Sequence, residues 1–462
     1  IMRAKWDNSY ARLPGQVFVR HDPVPVAAPS GLALNQPLAE ELGISFGTDW
    51  ADFMAGNQVP RGSDPITQAY AGHQFGHWNP QLGDGRAVLL GEVSGDFGRV
   101  DIQLKGAGRT PWSRGGDGRA WFGPILREYV ISESMHSLGI PTTRALAAVA
   151  TGEKVLREPG PLPGAIICRT ASSHIRVGTF QYFASRKDIT ALAALLSYSI
   201  ERHYPQAANA EEFLDAAVKS QARLIAKWMG VGFIHGVMNT DNSHVGGITI
   251  DYGPCAFMDD FVPTKVFSSI DRQGRYGYSN QPNIAAWNMA QLATALLPLA
   301  DDQNAAIVRY SDIVHSFMDI FQIEYAKIFS AKLGLSLCTE STALTEKLLN
   351  MMAQVGADFT QSFRALGTDD ISKFIGEHPD FSQWHDAWIQ STDHYKLNNI
   401  NPAVIARNHL VEAMIKKSIS GNMELFHSLN NTLKTPFVTP QNPNFSKPPE
   451  NNELVHQTFC GT

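Results

Sequence analysis

The sequence predicts an α+β fold in two lobes: a strand-rich N-terminal lobe with one key helix, then a mainly helical C-terminal lobe with extensions. Three observations carry this expectation. Extended, Gly-punctuated segments fill the chain to about residue 170. A single helix, opened by Pro124 and carrying Leu126, Val130 and Met135, interrupts them and stops at Gly139-Ile140-Pro141. From Asp188 onward the apolar residues recur at helical spacing.

Taken in order, residues 1–80 are Pro- and Gly-punctuated, with one helical patch at Pro37-Leu38-Ala39-Glu40-Glu41-Leu42-Gly43, and form an N-terminal extension packing on the first lobe. Residues 81–180 form that lobe. Strands are expected at 87–90, at 100–105 and around 165–168; in the second, alternation puts Asp101, Gln103 and Lys105 on one face. Residues 181–434 form the helical lobe, with helices near 190–204, 211–229 and from 282 to about 430, and a strand-turn-strand stretch at 233–257. Residues 435–462 hold five prolines between Pro436 and Pro449 and read as an irregular tail ending near Cys460.

Composition narrows the function classes. Of 462 residues only 18% are charged, against about a quarter in an average globular domain, and the net charge is −6. No extended basic stripe suits nucleic acid, and no apolar run reaches the roughly 18 residues of a membrane span. The first seven residues have no apolar stretch of signal-peptide type, and four scattered cysteines make no disulfide framework. The expectation is a cytoplasmic monomer with neither nucleic-acid nor membrane partners.

Charge and glycine are unevenly spread. Eleven of the 38 glycines fall between Gly83 and Gly123, and between Arg99 and Arg127 six cations face two anions. Backbone that allows close approach, flanked by positive charge, suits a polyphosphate. Within this stretch Gln81-Leu82-Gly83-Asp84-Gly85-Arg86 is a Gly-x-Gly turn, which a plain hairpin explains equally well. Lys105 ends a strand twenty residues after Gly85, near where kinase-like folds keep their phosphate-binding lysine. A carboxylate must fix such a lysine, and the following helix offers Glu128 and Glu133; spacing favours Glu128.

The strongest constellation is His235-Gly236-Val237-Met238-Asn239-Thr240-Asp241-Asn242 followed by Asp251-Tyr252-Gly253. Kinase-like enzymes follow a His-Arg-Asp-x-x-x-x-Asn loop with Asp-Phe-Gly, whose Asn and second Asp hold metal ions. Five residues before Asn242 stands Val237, which can accept no proton. Asp241 is the one carboxylate in the loop and takes the acid–base role, with Asn242 and Asp251 as oxygen ligands for Mg2+ or Mn2+.

These runs, together with Tyr70-Ala71-Gly72-His73-Gln74-Phe75-Gly76, Gln103-Leu104-Lys105-Gly106-Ala107-Gly108-Arg109-Thr110-Pro111, Gly116-Asp117-Gly118-Arg119-Ala120 and Gly139-Ile140-Pro141-Thr142-Thr143-Arg144-Ala145-Leu146, resemble the selenoprotein O family over nearly the whole chain. The resemblance implies a protein-kinase-like fold that binds ATP in a flipped orientation and transfers AMP to Ser, Thr or Tyr hydroxyls of proteins, releasing pyrophosphate. It implies nucleotide binding by Gly83, Gly85, Arg86, Lys105, Asp117, Gly118, Arg169 and Arg176, with Glu128 pairing the lysine. It places the metal on Asn242 and Asp251 and makes Asp241 the proton acceptor. Two other classes remain: γ-phosphoryl transfer, against which Val237 speaks, and an inactive ATP-binding scaffold, against which intact Lys105, Asn242 and Asp251 speak.

Cys460 stands where relatives carry selenocysteine or cysteine and is a candidate redox switch. The segment after Asp-Tyr-Gly lacks the cysteine some relatives carry, which leaves Cys255 as a substitute partner. His73 and His77 are four apart, but Gly72 and Gly76 argue against a helix presenting both to zinc.

Overall fold

A computed structural model describes residues 1–368 and 370–460. It is an α+β protein, with strands concentrated before residue 172 and helices after it. Eight strands form one antiparallel sheet in the order Phe18–Arg20, Ile66–Gln68, Ala87–Gly95, Gly98–Lys105, Gly160–Ala171, Arg144–Arg157, Ser30–Leu34; Ala120–Trp121 pairs the Gly160–Ala171 strand beside that path. Three of these strands precede residue 80, so the N-terminal segment is woven into the sheet as well as packed on it.

Both faces of the sheet are covered. Val88, Leu90, Ile102, Leu104, Ile166 and Cys168 pack against Leu38, Leu42, Phe53 and Met54 of the N-terminal segment. Leu89 and Ile167 face the helix Phe122–Ser137 through Ile125, Leu126, Tyr129 and Val130. Two-sided burial explains why residues 87–90 and 165–168 are unbroken apolar runs. The Arg144–Arg157 strand, with four alanines among its first seven residues, is absent from the sequence-based expectation. Alanine favours helix in isolation, but small side chains suit a central strand crowded on both faces.

Beyond Val177–Ser185, the helices Ile189–His203, Ala210–Gly230, Gln281–Leu296 and Gln303–Lys332 build the second half around one apolar core. Between the second and third of these helices lies the expected strand-turn-strand, in which Phe233–Ile234 pairs with Ala256–Phe257. Residues 436–460 are irregular apart from short turns and the 3-10 turn at Pro443–Phe445, and Thr458 docks them: its N–H donates to Phe267 O (2.8 Å), and Ser269 N–H donates to Thr458 O (2.9 Å). No helix among the described residues is long and apolar enough to cross a membrane.

Candidate active site

Strand register assembles the sheet side of the site. Gln103 lies opposite Arg169, and Lys105 opposite Ile167, so Lys105 and Arg169 project from neighbouring strands on the same face. Arg169 Nε donates to Gln103 Oε1 at 2.7 Å. Glu128 rises from the helix beneath and joins them, its Oε2 at 2.8 Å from Lys105 Nζ and its Oε1 at 3.2 Å from Arg169 Nη1. Glu133 is engaged elsewhere, in a bidentate pair with Arg144 (2.8 and 3.0 Å) that pins the helix to the long strand.

The loop side is set by backbone pairing. His235 Nε2 contacts Ile250 O at 2.8 Å and its ring stacks on Trp228, tying the start of the loop to the segment that ends in Asp251. Thr240–Asn242 is one 3-10 turn, and Asn242 Nδ2 donates to Val237 O at 3.0 Å. Asp251 adopts the left-handed backbone (φ 60°), a conformation Asp tolerates better than most residues. Arg176 reaches the same place from the other side, because residues 175–177 run beside 243–245: Val177 N–H donates to Ser243 O (2.8 Å) and Val245 N–H to Ile175 O (3.1 Å).

The two sides meet at Asp251. Its Oδ1 lies 2.5 Å from Arg169 Nη1 and 3.3 Å from Lys105 Nζ, and its Oδ2 lies 3.4 Å from Arg176 Nη2. Burial alone would raise this carboxyl; Arg169, Lys105 and Arg176 outweigh burial and hold it well below the ordinary carboxylate range. Asp241 lies in the opposite environment. Burial pushes its carboxyl up to about 7, Arg176 and Gln74 offset little of that, and its Oδ1 has no hydrogen-bond partner.

An inner cavity of about 210 Å3 is walled by Lys105, Arg169, Arg176, Asp241, Asn242 and Asp251. An outer one of about 540 Å3 is walled by Gly83, Asp117, Gly118 and Trp112. Gly85, Arg86 and Asp241 border both, so they form one cleft. Every residue expected to bind nucleotide or metal or to accept the proton therefore lies in the cleft wall except Glu128, which sits behind Lys105; Glu133, His73, His77 and Cys255 lie outside it. Gly83 has φ +70°, and a Cβ there would overlap the Trp112 ring; Gly118 has φ +68° and abuts the Gly108 carbonyl. Asp117 is exposed and paired with Arg157 at 2.7 Å.

Sequence reasoning assigned no role to three further cleft residues. Asp84, between the two glycines, is buried; burial raises its carboxyl to about 6, and it accepts from Gln68 N–H at 2.8 Å. The Tyr70 ring lies under the Arg176 guanidinium at 4.4 Å. Gln74 Nε2 stands 3.5 Å from Asp241 Oδ2. The signal for Tyr70 and Gln74 was the Tyr70–Gly76 run, and for Asp84 the Gly83-Asp84-Gly85 turn, and neither spacing names a chemistry.

His73 and His77 fall on the two strands of a hairpin, Gly72–Gln74 and His77–Asn79. Among the described residues no three His, Cys, Asp or Glu side chains are grouped to hold a metal. Asn242 and Asp251 supply oxygen donors only, and with the Asn242 amide nitrogen engaged on Val237 its oxygen is available to the cleft. Such a pair fits a hard cation that fills its other positions with phosphate oxygens and water. Cys255 and Cys460 are free thiols: Cys255 is fully buried and raised to about 11 by burial, whereas Cys460 is exposed and borders the inner cavity beside Gly253.

Comparison with known proteins gives the family. The family described as protein adenylyltransferase SelO matches residues 15–434. Proteins named protein nucleotidyltransferase YdiU are similar over 99% of both chains: those of Ruegeria pomeroyi and Jannaschia sp. are 53% identical, and that of Rhodopseudomonas palustris is 48% identical. Likeness of this extent, running through both walls of the cleft, places the chain in the SelO family of protein adenylyltransferases.

Proposed function

We propose that this protein is a metal-dependent adenylyltransferase on a two-lobed kinase-like fold, moving AMP from ATP to Ser, Thr or Tyr hydroxyls of proteins. The observation that carries the reading is the convergence of three buried cations, Lys105, Arg169 and Arg176, on the inner cavity, where their ion pairs among the described residues are with Glu128 and Asp251. A triphosphate entering with its β- and γ-phosphates innermost meets those cations, while the nucleoside occupies the wider outer cavity along Gly83, Gly85, Arg86, Asp117 and Gly118. This flipped pose leaves the α-phosphate facing Asp241 and the incoming hydroxyl.

Asp241 takes the hydroxyl proton as the oxygen attacks the α-phosphorus; the bond from that phosphorus to the bridging oxygen breaks and pyrophosphate leaves. The Asp241 residue borders both the inner and the outer cavity, where that proton is released. Asn242 and Asp251 would hold Mg2+ or Mn2+, which would neutralise phosphate charge. Glu128 keeps Lys105 and Arg169 aimed at the cleft. Val237, where a phosphoryl-transfer loop needs its aspartate, favours this reading over γ-phosphoryl transfer.

Incubation with Mg2+ and ATP labelled on the α- or the γ-phosphate tests it. Protein labelled only from the α-phosphate is expected. Label only from γ overturns the reading, and label from neither, with nucleotide bound, leaves an ATP-binding scaffold.

A further inference from the structure

The hairpin of Gly72–Gln74 and His77–Asn79 is a two-stranded sheet separate from the main one, closed by Phe75 (φ 51°) and Gly76 (φ 81°). In a two-residue hairpin the closing pair, here Gln74 and His77, exchanges both backbone hydrogen bonds and the next pair exchanges none. The backbone groups of His73 and Trp78 therefore point away from each other, to opposite edges. The His73 edge is taken: His73 N–H donates to Thr240 Oγ1 at 2.7 Å, and Phe75 N–H donates to Asn239 Oδ1 at 3.0 Å. The Trp78 edge is open. No hydrogen bond to the Trp78 N–H or C=O is found among the described residues, and the residue is 41% exposed.

Two arginines bracket this edge. Arg275 lies beside the turn at Gly76 and over the Trp287 ring at 4.9 Å. Arg186 lies at the base, donating to Pro80 O at 2.9 Å over the Tyr182 ring. Neither has a carboxylate partner among the described residues, although the chain as a whole carries −6. A long, open, untwisted edge invites uncontrolled pairing; here the edge is three residues long and its flanks select by charge.

We propose that the Trp78 edge docks the acceptor polypeptide as an added strand, with acidic side chains of that polypeptide meeting Arg275 and Arg186. The hairpin borders the cleft through Gln74, and a strand laid about 5 Å from His77–Asn79 runs along the outer edge of that same hairpin, one strand further from Asp241. Main-chain bonding gives tolerance of sequence, Trp78 and Trp287 give apolar contact, and the two arginines give a preference for acidic neighbours of the acceptor hydroxyl. This proposal rests on the transferase reading above, and its test separates the two.

The probes are short fluorescent peptides of one Ser-centred sequence flanked by Glu or by Lys, titrated into the full-length protein without nucleotide. The Glu peptide is expected to bind more tightly than the Lys peptide. Arg186→Glu with Arg275→Glu should reverse that order, and Trp78→Ala should weaken the Glu peptide about tenfold, the scale of an aromatic anchor. ATP affinity and the thermal midpoint should stay unchanged in each variant. Equal binding of both peptides, or no reversal by the charge-swapped variant, overturns the proposal. So does a concentration-dependent dimer that Trp78→Ala dissolves, which would assign the edge to a second copy. If the peptides bind as expected but take no α-label, the docking edge stands and the transfer reading falls. If wild type and charge-swapped variant label both peptides alike, transfer stands and the docking edge falls.

Discussion

Asp241 and Asp251 stand ten residues apart on one loop, both border the inner cavity, and burial pushes both carboxyls upward, yet they end in opposite states. Asp251 is met by three cations and is held ionised. Burial pushes Asp241 up to about 7, against which its own backbone N–H, a distant Arg176 and a weak contact from Gln74 act. The difference shows that burial does not fix a carboxylate's chemistry; the count of cations within reach does. In the function proposed above, an ionised Asp251 suits a metal ligand, and a carboxylate titrating near neutrality suits a proton acceptor. The division of labour follows from where Lys105, Arg169 and Arg176 point.

The largest expected effect comes from removing the anchored member of the pair. Asp251→Ala should abolish transfer of α-label at any Mg2+ concentration. It should also cost roughly 3–5 kcal/mol in denaturant unfolding, the scale for leaving buried charges unpaired. Retained activity would remove Asp251 from the metal assignment.

Asp241→Asn should lower the rate of α-label transfer by about 10²–10⁴, the span of general acid–base contributions. ATP binding should persist, and stability should be unchanged or higher, because a buried carboxylate without a cation partner is exchanged for a neutral amide. Loss of stability comparable to that of Asp251→Ala would erase the contrast between the two residues.

The pH dependence sharpens the same contrast. The folded-state pKa of Asp241 is raised, so the folded protein holds a proton that the unfolded chain releases near pH 4; this residue's contribution to stability falls as pH rises from there to about 7. Asp251 has the opposite sign: its contribution is fully present above the ordinary carboxylate pKa and is lost as pH falls below it. Thermal melts of wild type and Asp241→Asn between pH 4 and 8 should therefore diverge with rising pH, the variant becoming relatively more stable.

The smallest effect is expected one layer back. Glu128→Gln leaves Lys105 and Arg169 in place but loosens their aim, and should reduce transfer by about 10², the cost of a misplacement near 1 Å. ATP affinity should change less than the rate. An unchanged rate would show that Asp251 alone orients both cations.

Much of this site was legible in the chain. His235 through Asn242, then Asp251-Tyr252-Gly253, carry their chemistry in side-chain type and short spacing, so the loop could be read without coordinates. Lys105 and its face were legible from period-two alternation. The choice of Glu128 over Glu133 rested on spacing alone. In the structure it rests on register, because the two carboxylates turn toward different strands, Glu128 to Lys105 and Arg169 and Glu133 to Arg144. Tyr70, Gln74 and Asp84 were passed over because nothing local distinguishes a cleft-facing polar residue from a surface one. The Arg144–Arg157 strand was missed because alanine propensity speaks for helix when neighbours are unknown.

The sequence alone determined the kinds of chemistry present and their order along the chain: a glycine- and cation-rich segment, a lysine, a glutamate, and two aspartates around an asparagine. Local spacing is enough for that, since each motif spans a turn or a strand. Which aspartate is anchored and which is left to titrate was decided by tertiary structure. The cations that separate them, Lys105, Arg169 and Arg176, stand 75 to 146 positions from Asp251 and reach it only because strand pairing and the 175–177 segment bring them there. Electrostatic environment is a property of distances in space, and no local pattern encodes those.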